Sequence, residues 1–257
     1  MQNGAVGSAT DATVSVTFAG SGDAFGSGGR FQACIHLRPD GAPPVLLDCG
    51  ATSLSALKRC GLDPGEVAAV FISHLHGDHF GGLPFLVLDG QFSGRAVPLT
   101  VVGPPGTAAR LDAAMECMFP GSATAHRRFT VRVIELAPGC TVQAARVEAA
   151  AWAADHPSGA PALSLRLAVA GKVIGYTGDT AWTSALSQVA TGADLLIAEA
   201  YYRDKPVPYH LRLADLQAHA GELTSRRIIV THMSADMLSH HGPHGYETAF
   251  DGLTLRI

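Results

Sequence analysis

The sequence predicts a layered α/β domain dominated by strands. Many short runs are apolar or alternate apolar with polar residues, as strands do, and only a few stretches carry a helical period. Of 257 residues, 47% are hydrophobic and 16% charged, which is enough apolar chain for a sizeable core and too much for a disordered one. Neither a linker nor a short-period repeat breaks the pattern, so 1–257 reads as a single domain. Residues 1–12, rich in Gly, Ala and Ser, are expected to be flexible.

In chain order, Thr13–Ala19 alternates as a strand and leads into a Gly/Ser-rich loop, Gly20–Arg30, whose Ser27 and Arg30 are able to meet a phosphate. Phe31–Leu37 and Val45–Leu47 read as strands, the second ending in Asp48-Cys49-Gly50. Ser53–Cys60 is helical and closed by Gly61. Val67–Ile72, a compact apolar run, reads as a buried strand feeding directly into Ser73–Gly82. Leu99–Val102 is a short strand ended by the turn Gly103-Pro104-Pro105-Gly106, and Thr107–Phe119 is a helix with Thr107 as its expected N-cap. Further strands are expected at Phe129–Leu136, Thr141–Ala151, Ala162–Ala170, Lys172–Tyr176, Leu195–Ala198 and Ile228–Thr231, with helices over Trp182–Ala190 and Leu213–Ala220.

Composition narrows the function. A formal net charge of −4 leaves no basic field to hold nucleic acid non-specifically. Five widely spaced cysteines without a CxxC argue against a disulfide scaffold and for reduced thiols, hence a cytoplasmic protein. The start of the chain lacks the charged and apolar regions of a signal peptide, and no run of apolar residues is long enough to span a membrane. The unusual count is 12 histidines, the commonest metal ligand.

Five strand-like runs end in His or a carboxylate. Val67–Ile72 is followed by His74, His76, Asp78 and His79; the others are followed by Asp155-His156, Asp179, Glu199 and His232. Strand ends in layered α/β folds converge on one edge, where ligands bind. In extended chain His74 and His76 point the same way and are able to share one metal. Gly77 then lets the chain turn, which sends Asp78 and His79 towards a second ion, as in a binuclear hydrolytic site.

His74-Leu75-His76-Gly77-Asp78-His79 is an HxHxDH motif, and the sequence resembles the metallo-β-lactamase superfamily over nearly its whole length. His156, Asp179 in YTGDT and His232 in VTHMS follow in that family's order. FAGSGDAFGSGGRFQACIHL, LLDCG, VFISHLHGDHFGGLP, VVGPPGT, IAEAYY and YHLRLADL look closest to its ribonuclease Z-like and small-phosphodiesterase branch. The resemblance implies a four-layer αββα sandwich with the site at one edge. It implies that His74, His76 and His156 hold one ion, that Asp78, His79 and His232 hold the other, and that Asp179 bridges them. Two Zn²⁺ are the default, with Mn²⁺ or Fe chemically open. A hydroxide bridging the metals would attack the phosphorus of a phosphodiester, with Asp78 as base or orienting group. His210 stands where the branch carries its proton donor, with Glu199 placed to hold it.

Branch choice sets the substrate. The chain lacks the Cys that lactamases usually carry where Asp179 stands. The 25 residues after His232 are too few for a glutathione-binding helical domain of the thioesterase kind. Only 22 residues separate His156 from Asp179, too few for the arm that grips tRNA in ribonuclease Z. With the net charge of −4, this favours a small-molecule phosphodiester over nucleic acid, and relatives suggest a homodimer. The alternatives are an armless ribonuclease Z-like tRNA 3′-processing endonuclease, a lactone or thioester hydrolase on the same metal core, or a non-hydrolytic metal protein. His36, His126, His219, His240, His241 and His244 need no function; the last three read as a surface loop just after His232 that could rim the pocket.

Overall fold

The computed structural model describes residues 13–240 and 245–257, so the expectation for 1–12 lies outside the described residues. Two seven-stranded sheets face each other. The first contains β1 (Val14–Gly20), β2 (Cys34–Pro39), β3 (Val45–Leu47), β4 (Ala69–Phe71), β5 (Leu99–Gly103), β6 (Val131–Glu135) and β14 (Thr254–Arg256), in the order β14-β1-β2-β3-β4-β5-β6. The second contains β7 (Thr141–Ala144), β8 (Val147–Ala153), β9 (Leu163–Val169), β10 (Lys172–Tyr176), β11 (Leu195–Glu199), β12 (Ile228–Thr231) and β13 (Glu247–Thr248), in the order β13-β12-β11-β10-β9-β8-β7. Both are mixed: β3 to β6 and β10 to β13 run parallel, and the remaining neighbours are antiparallel.

Alternation along each strand builds the layers. Val16 and Phe18 of β1, Ile35 and Leu37 of β2 and Phe71 of β4 meet Leu165, Leu167, Ile174 and Ile197 from the second sheet in the central core. The opposite residues of the first sheet, among them Leu46, Val70 and Val101, pack on helices α1 (Ser53–Arg59), α3 (Leu83–Phe92) and α4 (Thr107–Met118). Leu196, Ala198 and Val230 of the second sheet pack on α5 (Ala185–Ala190), α6 (Leu213–Ala218) and α7 (Ala235–Ser239). A single helical turn, α2 (Gly77–Phe80), lies at the site edge. This is the αββα sandwich. No helix among the described residues is long and apolar enough to cross a membrane.

The structure corrects the sequence reading in several places. Thr141–Ala151 is not one strand but a hairpin, because Ala145 and Arg146 take φ of 49° and 63° and turn the chain in two residues. Ala and Arg occupy that turn in place of the usual Asn-Gly, so no turn signal marks it. Thr107 is the first helical residue rather than the cap; Gly106 caps α4 at φ 95°, and Thr107 Oγ1 donates instead to the Pro104 carbonyl. Leu83–Phe92 is helical although the unbroken apolar run over 83–88 hides the period; its buried Leu83, Leu86, Val87 and Gly90 have helical spacing, and Pro84 suits a first turn. The helix expected from Trp182 begins only at Ala185, and β13 and β14 are too short to read.

One core group titrates in a useful range. His36 of β2 is 1% exposed, its Nε2 has no partner, and burial aided by the Arg38 guanidinium pushes its pKa down to about 4. The unfolded chain binds this proton at about 6.5, so the stability it confers is complete above that pH and is lost as pH falls towards about 4. Between pH 7 and pH 4 the wild type is expected to lose about 3 kcal/mol more unfolding free energy than His36→Phe, read from urea titrations. Equal losses would contradict a neutral buried imidazole.

Candidate metal centre

Five strands of the two sheets deliver their C-terminal ends to one edge. β4 delivers His74, fully buried, and His76 two residues on. Extended backbone at His76 (φ −74°, ψ 153°) gives way to α2, and that turn swings Asp78 and His79 away from the first pair. β8 leads to His156, β10 to Asp179 through Gly178 at φ 58°, β11 ends on Glu199, and β12 leads to His232, itself at φ 56°. A left-handed backbone at a non-glycine residue is costly, and here it aims the imidazole inward.

Among the described residues three groups of potential ligand atoms result: His74, His76 and His156; Asp78, His79, Asp179 and His232; and Asp179, Glu199, His210 and His232. The structure brings together every metal ligand expected from the sequence, with His210 and Glu199 beside them. His156 Nε2 lies 3.0 Å from His76 Nδ1, and His79 Nε2 lies 3.2 Å from His232 Nε2. Two nitrogens on one tetrahedral zinc, each bound at ~2.0–2.1 Å, stand ~3.3 Å apart, so these spacings suit shared ions. His74 Nε2 is buried without a partner, an orphan that a cation would satisfy. Asp179 sits between the groups: Oδ1 is 3.2 Å from His79 Nε2, while Oδ2 is 3.9 Å from His74 Nε2, 4.0 Å from His156 Nε2 and 3.6 Å from His232 Nε2. The donors and their orphaned nitrogen therefore fit a pair of divalent cations.

Electrostatics agree. Burial opposes charging His232, but Asp179, Asp78 and Glu199 outweigh it and raise its pKa to about 10. His79 rises for the same reason, against burial and through Asp179, Asp78 and Asp48. Burial would raise Asp179, yet His232, His79 and His74 hold it well below the usual carboxylate range. Carboxylates that draw protons onto imidazoles this strongly are placed to hold cations there instead.

His210 lines the cavity with one face and stacks on Tyr201 at 4.8 Å. Its Nδ1 is hydrogen-bonded to Glu199 Oε1, and Glu199 is fixed in turn by the amides of Thr180 (3.0 Å) and Leu211 (3.2 Å). Glu199 outweighs burial and raises His210 above its ordinary pKa. His156 Nδ1 donates to the Tyr209 carbonyl, which leaves Nε2 for the site. The cavity above these groups measures about 190 Å³ and is lined by His76, Asp78, Asp179, His210, Tyr201 and the strongly exposed Phe25, among others.

Asp48 was missed as a functional residue. It sits buried at φ 58° after β3 and accepts from Ser73 N (2.7 Å), Ser73 Oγ (2.8 Å), His79 Nδ1 (2.7 Å) and the Tyr176 hydroxyl (2.7 Å). The signal was present in Leu46-Leu47-Asp48-Cys49-Gly50, an acid at a strand end among apolar residues. Carboxylates behind metal-binding histidines orient the ring and raise its basicity, so Asp48→Asn is expected to weaken metal binding about 10- to 100-fold in chelator competition. Unchanged affinity would leave Asp48 a purely structural anchor.

Ser27 and Arg30 do not aim at the site. Ser27 donates to Asp23 from both its amide and its hydroxyl, and Arg30 donates to the Ala249 carbonyl. The loop reaches the cavity instead through Ala24 and Phe25. Of the remaining histidines, His219 stacks on Trp182 at 3.8 Å and pairs with Glu222, and His240 Nδ1 donates to the Asp236 carbonyl. His241 and His244 lie outside the described residues.

Comparison with known proteins matches this geometry. Residues 14–251 match the family described as Anti-Pycsar protein Apyc1. The ribonuclease Z of Methanosarcina acetivorans is 24% identical over 274 residues, spanning 86% of this chain and 87% of the relative. The metallo-β-lactamase fold protein YhfI from Bacillus subtilis superposes with a TM-score of 0.77 at 18% identity, covering 95% of this chain and 99% of that one. The short form of human tRNase Z superposes with a TM-score of 0.76 at 25% identity, covering 94% and 98%. With the family match running from β1 almost to the end of the chain, this protein belongs to the Anti-Pycsar protein Apyc1 family, within the metallo-β-lactamase superfamily.

Proposed function

We propose that this metallo-β-lactamase-fold hydrolase is a dinuclear phosphodiesterase acting on small phosphodiesters, such as cyclic nucleotides or cyclic sugar phosphates. The observation that carries it is the Asp179 carboxylate lying within 4.0 Å of imidazoles from both ligand groups, with His210 beside it on Glu199. His74, His76 and His156 would hold one cation and Asp78, His79 and His232 the other, Asp179 serving both. Zinc suits this donor set best, and such a pair supplies Lewis-acid polarisation of the phosphoryl group and acidification of water.

The chain's own groups do the rest. Asp78, at the cavity wall, orients the attacking water and takes its proton. Glu199 holds His210 by Nδ1, leaving Nε2 to donate a proton to the departing oxygen. Three observations support a small diester. The cavity is compact, the segment between His156 and Asp179 is occupied by β9 and the hairpin to β10 rather than an arm, and the net charge is −4. A panel of bis(p-nitrophenyl) phosphate, lactone and thioester substrates tests the reaction class. Metal-dependent turnover of the phosphodiester alone is expected; turnover of the lactone or thioester alone would overturn the assignment.

A further inference from the structure

Most of the wall of the metal-centre cavity is committed to chemistry. His76, Asp78, His156, Asp179 and His232 are the expected ligands, and His210 is held on Glu199. Tyr201 stacks on His210, with ring centres 4.8 Å apart. Ala24 and Phe25, from the Gly-rich loop after β1, make up the rest of the lining. The Phe25 ring is 84% exposed, more than any other large apolar side chain among the described residues. A phenyl ring left in water forfeits the burial that aromatic side chains usually contribute to folding, so packing does not explain it.

The loop that presents this ring is built firmly. The Ser21 carbonyl accepts from the His232 amide at 3.1 Å, and Gly22 bridges to both Gln32 and Met233. Gln32 Nε2 donates to the Ala24 carbonyl at 3.0 Å, and Asp23 accepts from the Ser27 amide (2.8 Å) and hydroxyl (2.7 Å). Gly26, at φ 68°, turns the chain directly after Phe25. The ring is therefore carried on backbone tied to a metal-ligand residue, and a ligand that meets it finds a loop already ordered.

Size places part of the substrate against it. The cavity holds about 190 Å³, below the ~300–1,000 Å³ of pockets that enclose a whole drug-sized ligand. A cyclic nucleotide seated with its diester at the metal centre leaves its base at the mouth, where Phe25 stands. The uncommitted wall there is apolar, so it meets the face of a base rather than its hydrogen-bonding edge.

We propose that Phe25 discriminates between diesters by stacking on the nucleobase of a cyclic nucleotide, while a sugar diester without a base gains nothing from it. Every base offers a π-face, and one base–aromatic stack strengthens binding about 5- to 150-fold. The proposal rests on the phosphodiesterase reading and assigns the discrimination within it to one side chain.

The test compares 3′,5′-cyclic AMP with methyl riboside 3′,5′-cyclic phosphate, which keeps the sugar and the diester and replaces the base by a methoxy group. In metal-loaded protein, Phe25→Ala is expected to raise KM for cyclic AMP about 5- to 150-fold with kcat unchanged, because uniform binding is lost. KM for the methyl riboside is expected to stay as in wild type, and Phe25→Trp to keep the wild-type KM on both. Calorimetry with the cyclic phosphorothioate of adenosine is expected to show the same fold-change in Kd. Sedimentation of Phe25→Ala is expected to match wild type. KM rising equally on both diesters, or on neither, would overturn the proposal while leaving the phosphodiesterase reading intact. A changed sedimentation coefficient would also overturn it, by showing that a second copy of the chain covers the ring. If the wild type opens neither diester, the phosphodiesterase reading falls and takes this proposal with it.

Discussion

Asp179→Asn is expected to lower hydrolysis of a small phosphodiester about 10³-fold or more and to reduce bound metal from about two equivalents to about one, since a metal contributes several kcal/mol and each 1.36 kcal/mol is a decade. The substitution keeps the side chain's volume and removes its charge. That charge faces four imidazoles from three strand ends and is the group that both ligand sets approach. Without it, each proposed ion would lose an anionic oxygen donor, and a neutral amide would be a poorer ligand to share between two cations than a carboxylate. Metal content by elemental analysis, alongside kcat/KM, separates this from misfolding. A variant that binds two ions and stays within tenfold of wild type would show that Asp179 does not link the two sites.

His210→Ala is expected to lower kcat about 10²- to 10⁴-fold on a diester with an alkoxide leaving group, the range for a lost general acid, with metal content unchanged. The imidazole is not among the six residues expected to hold the ions with Asp179, and its Nδ1 is occupied by Glu199. Its contribution therefore depends on how much the departing oxygen needs a proton. On bis(p-nitrophenyl) phosphate, whose leaving group departs readily as an anion, the same variant is expected to remain within about tenfold of wild type. Glu199→Gln is expected to show the same leaving-group dependence in weaker form, because the amide still holds the ring but no longer stabilises its charged state. Equal losses on the two substrates would assign His210 to binding or metal support rather than proton transfer.

The residues themselves show why the site was more legible than parts of the fold. His74 to His79 is dense enough to read alone, because extended chain and one flexible glycine dictate where four side chains can point. His156, Asp179 and His232 are ordinary loop residues in isolation; only their order after the motif and their places at strand ends marked them. Asp48 stayed hidden because its role comes from contacts 25 to 128 residues away in sequence, with Ser73, His79 and Tyr176. Ser27 and Arg30 misled because a Gly-rich loop with a hydroxyl and a guanidinium looks the same whether those groups face a phosphate or lock the loop to Asp23 and Ala249. The β7–β8 turn was invisible for a local reason: alanine and arginine carry the left-handed backbone that glycine or asparagine usually announces.

The most direct test of the central claim is a side-by-side assay of zinc-loaded protein on a 3′,5′-cyclic nucleotide and on a precursor tRNA with a 3′ trailer, with and without chelator. Opening of the cyclic diester that chelator abolishes, with the tRNA trailer left largely intact, is the expected result. Efficient trailer cleavage with the cyclic nucleotide untouched would contradict the assignment and place this chain among the tRNA-processing nucleases.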